Sequence, residues 1–317
     1  MALNRAELWR RRVENLLRAG LLLGALAVLA GLLGYFLAGW GGVFWTTALT
    51  IAGAMILARM PAQLVLRQAG ALPLAYAQAP QLYDVLTVLS QRAGLEAVPT
   101  LHYIPESQLN AFAVGTGSAG GIAVTGGLLR TLDLRETAAV LAHELSHLRH
   151  GDTRVLALAA LLTQAITYLG FVAQLVLLLS LPWLLSEGVK QSVEVLPLLL
   201  IVFAPTLAVL IQLALSRARE YTADLEAAAL TGDPEALARA LHLLAQANGA
   251  WLASVFGRGE AWPQHPWLST HPPLQERLRR LAQLREPPHP PVITPGGTRT
   301  PADEWLEIPV RIHRPHP

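Results

Sequence analysis

Residues 133–152 read DLRETAAVLAHELSHLRHGD and contain a helix start followed by a histidine motif. Asp133 with Glu136 three residues later is the pattern of a capping box, which predicts that a helix begins there. Apolar residues such as Leu141 and Leu145 surround the polar ones, which is typical of a helix packed against a core. The pattern places the motif on an ordered, partly buried helix.

The motif itself has the spacing of a metal site. His143 and His147 are four residues apart, so both imidazoles project from one helix face and can bind one zinc ion. Glu144 lies about 100° around the helix from His143, beside the metal. A carboxylate there can take a proton from the hydrolytic water and later pass it to the leaving amine. The alternative is a pair of surface histidines beside a solvated glutamate.

A catalytic zinc site needs a third protein ligand and an open position. The candidate is Glu220, in the segment SRAREYTAD that follows a long apolar stretch. Asp224, one helical turn further, and Asp152, at the end of the motif helix, could accept hydrogen bonds from the ligand imidazoles. Spacing alone leaves a second interpretation of Glu220 open, a surface carboxylate paired with Arg217.

Composition limits the classes of protein that the chain can belong to. The 317 residues include no cysteine, which excludes disulfide frameworks, cysteine-ligated zinc and iron–sulfur clusters. The formal net charge of +2 is too small to indicate a nucleic-acid partner. Hydrophobic residues make up 53% and charged residues 15% of the chain. Soluble domains carry about a quarter charged residues, so segments facing a lipid bilayer are predicted.

Three uncharged stretches are long enough to enter a membrane. The first lies between Arg18 and Arg59 and contains the turn-like Gly39–Gly42, so it is interpreted as two spans joined by a tight loop. Residues 155–186 and 195–216 predict a second helical hairpin, giving about four spans. A cleaved signal peptide is the alternative for the first stretch, and buried core helices are the alternative for the others.

Basic residues predict the orientation. They cluster before the first span, between the second and third, and after the fourth: Arg5, Arg10, Arg11, Arg12, Arg18, Arg59, Arg67, Arg149, Arg154, Arg217 and Arg219. The two loops within the hairpins contain one lysine and no arginine. By the positive-inside rule both termini and the motif helix lie in the cytoplasm. A multi-pass protein of the cell (inner) membrane is expected, with its catalytic domain facing the cytoplasm.

The polar portions predict an α+β fold, mostly helical with a small β-sheet. The expected organisation is an N-terminal hairpin at 1–61, one catalytic domain from 62–154 and 217–285, a second hairpin at 155–216, and an extended proline-rich tail with little core at 286–317. A helix is predicted at residues 80–95, and short strands at 100–104, 110–114 and 121–124.

Three motifs in this order, HELSHLRHGD from His143, SRAREYTAD from Ser216 and STHPPLQERL from Ser269, resemble the HtpX family of membrane zinc metallopeptidases. The resemblance covers about Leu17 to Leu284. It implies a gluzincin fold with one zinc ion per chain, held by His143, His147 and Glu220. It also implies cleavage of polypeptide substrates, namely misfolded or damaged membrane proteins, on the cytoplasmic side.

The resemblance extends to substrate-binding and catalytic positions. Asn110, Ala111 and Phe112 match the strand that pairs with substrate backbone, which is strand addition at an open edge; a plain sheet strand is the alternative. His271 and Arg277 match positions proposed to stabilise the tetrahedral oxyanion. For His271, capping of the following helix is the competing interpretation.

Two other classes of protein are compatible with the motif. One is an intramembrane (site-2-type) protease, against which Arg135, Glu136, Arg149 and His150 place charge on the motif helix. The other is a non-catalytic membrane scaffold with a structural zinc, which would have no need of Glu144. Three further histidines, His150, His242 and His265, are interpreted as surface or core residues. Specific substrates, oligomeric state and the role of the tail do not follow from the sequence.

Overall fold

The computed structural model describes residues 5–184, 195–256, 273–284 and 289–293. Nine α-helices and four strands occur in these ranges: α1 (Arg5–Arg59), α2 (Ala62–Gln68), β1 (Leu72–Pro73), α3 (Pro80–Ala93), β2 (Thr100–Ile104), β3 (Ala111–Val114), β4 (Gly121–Thr125), α4 (Gly126–Thr131), α5 (Leu134–His150), α6 (Asp152–Leu184), α7 (Val195–Thr231), α8 (Pro234–Phe256) and α9 (Leu274–Ala282). The predicted α+β class, mostly helical with a small sheet, is confirmed.

The first apolar stretch folds back on itself. Helical geometry within α1 is lost at Ala38 and Gly39, and Gly39 has a φ of 58° that favours glycine. A Cβ atom on Gly34 would lie 2.7 Å from the Gly42 carbonyl oxygen, whereas eight residues of straight helix span about 12 Å. The chain therefore reverses at the predicted glycine turn. Each arm has roughly the 20 apolar residues that a span needs.

Three helices in the described part of the chain are long and apolar enough to cross a membrane. They cover Leu17–Arg59, Asp152–Pro182 and Pro197–Thr231, and the first of them contains the two arms of α1. Their contacts bury Leu26, Leu33, Ala159, Ile166, Ala204 and Ala208 between α1, α6 and α7. Large apolar side chains such as Trp40, Leu179 and Phe203 point outward, as expected for a lipid-facing surface.

The catalytic-domain candidate is a small sheet packed on helices. The strand order is β1-β2-β4-β3, with β2 and β4 parallel and the other two pairs antiparallel. The predicted strands at 100–104, 110–114 and 121–124 are present with shifts of at most one residue. β1 was not predicted, because two residues are too few to show an alternating pattern. The order places β3 at one edge of the sheet.

The main core lies between this sheet and the helices α3, α5, α7, α8 and α9. Leu82, Leu86 and Leu89 of α3 are buried there, as the periodicity of 80–95 predicts. α5 contributes Leu141, Leu145 and Leu148, which have essentially no exposed surface. α7 is continuous from its apolar part into this core, so one helix links the membrane-type bundle to the catalytic-domain candidate.

A short piece of the proline-rich C-terminal region packs on the same core. The Val292 amide donates to the Thr231 carbonyl over 2.9 Å, and Arg92 Nη1 donates to the Pro290 carbonyl over 3.0 Å. Val292 and Ile293 contact the core residues. The tail was expected to contribute little core, and residues 289–293 do contribute.

Candidate metal centre

The motif helix α5 begins and ends as local chemistry requires. The Glu136 amide donates to Asp133 Oδ1 over 2.8 Å, and the Asp133 amide donates to Glu136 Oε2 over 3.0 Å, which is the predicted capping box. Gly151 ends the helix with a φ of 65°, a conformation that L side chains rarely adopt. Because the turn is so tight, Asp152 starts α6 one residue later.

Three predicted ligand side chains come together at the contact of α5 with α7. His143 Nε2 lies 3.2 Å from His147 Nε2 and 3.5 Å from Glu220 Oε2, and His147 Nε2 lies 3.9 Å from Glu220 Oε1. In the described part of the chain these side chains form a cluster that could hold a metal ion. Tetrahedral zinc with bonds of about 2.0–2.1 Å separates its ligand atoms by about 3.3 Å. The donor types and their spacing therefore fit zinc.

The outer nitrogen of His147 is held by a buried ion pair. His147 Nδ1 lies 2.9 Å from Asp152 Oδ2, and Arg219 Nη1 lies 2.7 Å from Asp152 Oδ1. A carboxylate only accepts hydrogen bonds, so the proton of the neutral imidazole is placed on Nδ1 and the Nε2 lone pair faces the cluster. The role predicted for Asp152 agrees with this geometry. Arg219 was within the quoted motif, but its spacing gave no sign of this contact.

His143 has a matching arrangement. Its Nδ1 lies 3.2 Å from Asp224 Oδ1, and Arg277 donates to Asp224 through Nε over 2.7 Å and through Nη2 over 2.6 Å. Burial alone would raise the pKa of Asp224, but the two hydrogen bonds from Arg277 and the close approach of His143 lower it. The carboxylate is therefore charged and fixed behind His143.

Negative charge dominates at His143. Burial would lower the pKa of this imidazole, but Asp224 and Glu220 outweigh burial and raise it to about 10. Such a pKa reflects two carboxylates directed at one buried ring, an electrostatic environment suited to a cation.

Glu144 lies beside the cluster and is half-buried. Burial raises its pKa, while the nearby His147 and His143 act in the opposite direction. The Ala113 backbone N–H of the adjacent strand also acts to lower it. A carboxylate with a raised pKa beside such a cluster is suited to accept and return a proton.

The remaining predicted residues are placed as follows. Ala111 and Phe112 lie on the edge strand β3, and the Asn110 amide donates to Thr125 Oγ1 over 3.0 Å at the start of this strand. Arg277 is buried, with its Nη2 3.3 Å from Glu220 Oε2, so it orients two carboxylates of the site. A contact with the oxyanion stays a prediction. His271 lies outside the described residues.

Sequence reasoning missed a second polar contact between α5 and α7. Glu226 accepts a hydrogen bond from Ser146 Oγ over 2.5 Å, lies 2.6 Å from His150 Nε2 and pairs with Arg149. Burial would raise the pKa of Glu226, but His150, Arg149 and Ser146 lower it to about 2. His150 is thus accounted for by its contact with Glu226. The only sequence feature that could have indicated this contact was Ser146, a polar residue on the buried side of the motif helix. It did not indicate which residue would be its partner.

The site and fold together define a membrane-associated metallopeptidase, with a histidine-pair helix and a remote glutamate beside apolar helices. The model of peptidase family M48 matches residues 76–285. The protease HtpX homolog of Acidiphilium cryptum is 38% identical over 290 residues, covering 86% of this chain and 98% of that protein. The homolog of Acaryochloris marina is 43% identical over 223 residues, covering 66% of this chain and 73% of that protein.

The protease HtpX homolog of Salinibacter ruber is 33% identical over 283 residues, or 85% of this chain and 98% of that protein. Among solved structures, the crystal structure of S. mikatae Ste24p overlaps with 86% of this chain and 66% of that chain, at a TM-score of 0.48 and 19% identity. The chain belongs to peptidase family M48 and, within it, to the HtpX proteases. It is a membrane protein and a metalloprotease.

Proposed function

We propose that the chain is a zinc endopeptidase that cleaves misfolded or damaged membrane proteins at the cytoplasmic face of the membrane. The observation that carries the proposal is the meeting of His143, His147 and Glu220 at zinc-ligand spacing, with Glu144 next to them. The named relatives are proteases, which supports peptide-bond hydrolysis as the reaction.

His143, His147 and Glu220 would hold zinc through two Nε2 atoms and one carboxylate. Zinc bound there would act as a Lewis acid on the scissile carbonyl and would lower the pKa of water. Asp152 and Asp224 keep the Nδ1 sides of both imidazoles occupied, so that the Nε2 lone pairs remain available to the ion. Three protein ligands leave one tetrahedral position open for substrate.

Glu144 supplies the proton transfers. It accepts a proton from the attacking water, and it returns that proton to the amine that leaves when the peptide bond breaks. Burial raises the pKa of Glu144, so this pKa lies closer to neutral pH than that of an exposed glutamate.

An edge strand supports the choice of a polypeptide substrate. β3 pairs with β4 on one side only among the described residues, and it runs next to Glu144. An extended peptide can add to such an edge through main-chain hydrogen bonds, which read backbone more than side chains. That mode of binding suits unfolded segments of many sequences.

The position of the site supports membrane proteins as substrates. Glu220 follows the apolar part of α7 within the same helix, and Asp152 is the first residue of α6. The site is therefore close to where the apolar helices end. α5 packs in the core with α3 and α8 rather than among apolar spans, which supports cleavage beside the bilayer and not within it.

The test is a comparison of metal content and proteolysis in two variants of the full-length protein purified in detergent. Glu220→Ala is expected to lose the bound zinc because one of three ligands is gone. Glu144→Gln is expected to keep about one zinc ion per chain but to lose cleavage of an unfolded membrane protein. Metal is measured by elemental analysis, and cleavage by gel and mass spectrometry.

The two variants control for each other, since each removes one carboxylate from the same site. Equal zinc content in wild type and Glu220→Ala would rule out the third ligand. Unchanged turnover in Glu144→Gln would rule out the proposed base. Cleavage mapped repeatedly to the middle of a substrate span would contradict action at the membrane surface.

A further inference from the structure

The edge strand β3 offers fewer hydrogen-bonding groups than its length implies. In an antiparallel pair, alternate residues direct both backbone groups towards the partner strand, and the residues between them direct both groups away. The Thr125 amide donates to the Asn110 carbonyl over 3.0 Å, so Asn110 faces β4. With the register Phe112↔Ala123 and Val114↔Gly121, alternation turns Ala111 and Ala113 outward.

The outward carbonyl of Ala113 already has a partner within the protein, since it accepts a hydrogen bond from Thr153 Oγ1 over 3.1 Å. The outward N–H of Ala113 lies near enough to the Glu144 carboxylate to lower its pKa. These two contacts agree independently with the outward orientation that the register assigns. In the ranges that the structure describes, Ala111 is then the residue of β3 whose outward N–H and carbonyl are open to a peptide.

The same tight turn that organises the metal site positions Thr153. Gly151 in the left-handed conformation lets α6 begin at Asp152. Asp152 turns to His147, and the next residue, Thr153, turns to β3. A hydroxyl at 153 is therefore held against the strand by the same backbone that supports a metal ligand.

We propose that Thr153 is a specificity-determining residue that limits backbone pairing of the substrate on β3 to Ala111. The inference rests on the proposed function and deepens it. The backbone of a peptide exchanges hydrogen bonds with the N–H and the carbonyl of Ala111. The next outward carbonyl, that of Ala113, is already hydrogen-bonded to Thr153. The enzyme thus needs only a short extended segment beside the scissile bond, so short unfolded loops are sufficient as substrates.

The experiment is an N-methyl scan of one peptide. The peptide spans a cleavage site that mass spectrometry maps after full-length, zinc-loaded wild-type protein has digested an unfolded protein. Binding of each singly N-methylated, fluorescently labelled peptide is measured against the Glu144→Gln protein, which is expected not to cleave the peptide during the measurement. Kd is the readout, so effects on the chemical step do not enter.

In the Glu144→Gln background, methylation of one peptide amide is expected to raise Kd. This is the amide that donates to the Ala111 carbonyl. Its methylation should weaken binding about two- to tenfold, the range for one hydrogen bond. Adding Thr153→Val frees the Ala113 carbonyl, so a second sensitive amide should appear two residues from the first. Thr153→Ser keeps the hydroxyl and should keep the single-site pattern, while Thr153→Ala should reproduce the pattern of the valine variant.

Two sensitive amides already present with Thr153 intact would overturn the proposal, because the substrate would then displace the hydroxyl. An unchanged pattern in both Thr153→Val and Thr153→Ala would overturn it as well, and so would a scan without any sensitive amide. Failure of the proposed function is distinguishable. It appears in the first step, as an absence of digestion by wild-type protein, and it removes the inference with it.

Discussion

At the residue scale, each imidazole of the candidate metal centre has its own carboxylate, and each carboxylate has its own buried arginine. His147 contacts Asp152, which contacts Arg219. His143 contacts Asp224, which contacts Arg277. Buried charges are tolerated when they are paired, and removal of one partner leaves the other uncompensated. Asp152 at the start of α6 orients one ring, and Asp224 of α7 orients the other.

Asp152→Asn is therefore expected to weaken zinc binding about 10- to 100-fold, the usual effect of losing a carboxylate behind a ligand histidine. An amide can donate as well as accept, so it no longer holds the proton on Nδ1 of His147. Zinc affinity is measured by competition with a chromogenic chelator. Glu96→Gln, at an exposed position, is the matched control and should bind zinc like wild type. Equal affinity in the two variants would contradict an orienting role for Asp152.

Glu226 gives a pH-dependent contribution to stability. Its pKa in the folded protein, about 2, lies below its ordinary value of 4.5, so its contacts with His150, Arg149 and Ser146 stabilise the fold fully above pH 4.5. That contribution is lost as the pH falls from about 4.5 towards 2. At pH 6, Glu226→Gln should reduce the free energy of unfolding by about 2 kcal/mol.

The measurement is thermal unfolding followed by tryptophan fluorescence at pH 6, 4.5 and 3. The gap between wild type and Glu226→Gln should narrow as the pH falls through this window. Glu96→Gln should stay close to wild type at each pH. A gap that remains constant down to pH 3 would show that the Glu226 contacts are not ionic.

At the element scale, α6 packs against α7 at Pro205, a proline within α7. Pro205 has no N–H, so the Ile201 carbonyl four residues earlier lacks its helical donor. Gln174 of α6 supplies one, through Nε2 over 3.1 Å. Gly170, one turn before Gln174, makes room for the proline ring, since a Cβ atom there would lie 2.6 Å from Pro205 Cγ. A freed backbone group among apolar helices is thus satisfied by a neighbouring helix.

Gly170→Ala is expected to destabilise the protein by about 1–3 kcal/mol, because the added methyl group overlaps the proline ring. In a Pro205→Ala background the same substitution should cost less, since the ring is absent. Gly24→Ala is the control, because no atom lies within 4 Å of a Cβ built there. Thermal unfolding in detergent is measured for all four variants. Additive effects of the Gly170 and Pro205 substitutions would contradict a direct contact.

At the scale of the whole molecule, the orientation in the membrane decides which substrates meet the site. The turn of α1 and the catalytic domain are expected on opposite sides of the membrane, because basic residues are concentrated next to the latter. The chain contains no cysteine, so single-cysteine variants report on sidedness without background. Gly41, with open space around it, and the exposed Gln91 of α3 are suitable positions.

In intact cells, a membrane-impermeant maleimide should label Gly41→Cys and leave Gln91→Cys unlabelled. After the cells are opened, both should react. The cysteine-free wild type serves as the control for non-specific labelling. Reaction of Gln91→Cys in intact cells, with Gly41→Cys protected, would reverse the proposed orientation.

Much of this molecule follows from patterns that are local in the chain. The capping box at Asp133, the i, i+4 spacing of His143 and His147, and the glycine turn within the first apolar stretch each depend on neighbours a few residues away. The predicted helix at 80–95 and the short strands are of the same kind. Such features can be predicted without knowledge of the fold, because local backbone hydrogen bonding and side-chain periodicity determine them.

Contacts between distant segments could not be derived in the same way. The meeting of Glu220 with the histidines was inferred from motif order and resemblance, whereas its distances depend on how α7 packs on α5. Arg219, Glu226 and Thr153 had no assigned partners, and residues 289–293 belong to a tail that was expected to contribute little core. Ion pairs of this type need a shared buried surface, which exists only after the helices have packed.

The amino-acid sequence alone therefore determined the motif helix, the apolar stretches and the types of ligand that could hold a metal, since these depend on spacing and composition. Only the tertiary structure decided which arginine holds which carboxylate, and how much of the β3 edge stays open to a peptide. The physical reason is that burial and pairing are properties of surfaces in contact, and residues far apart in the chain form those surfaces together.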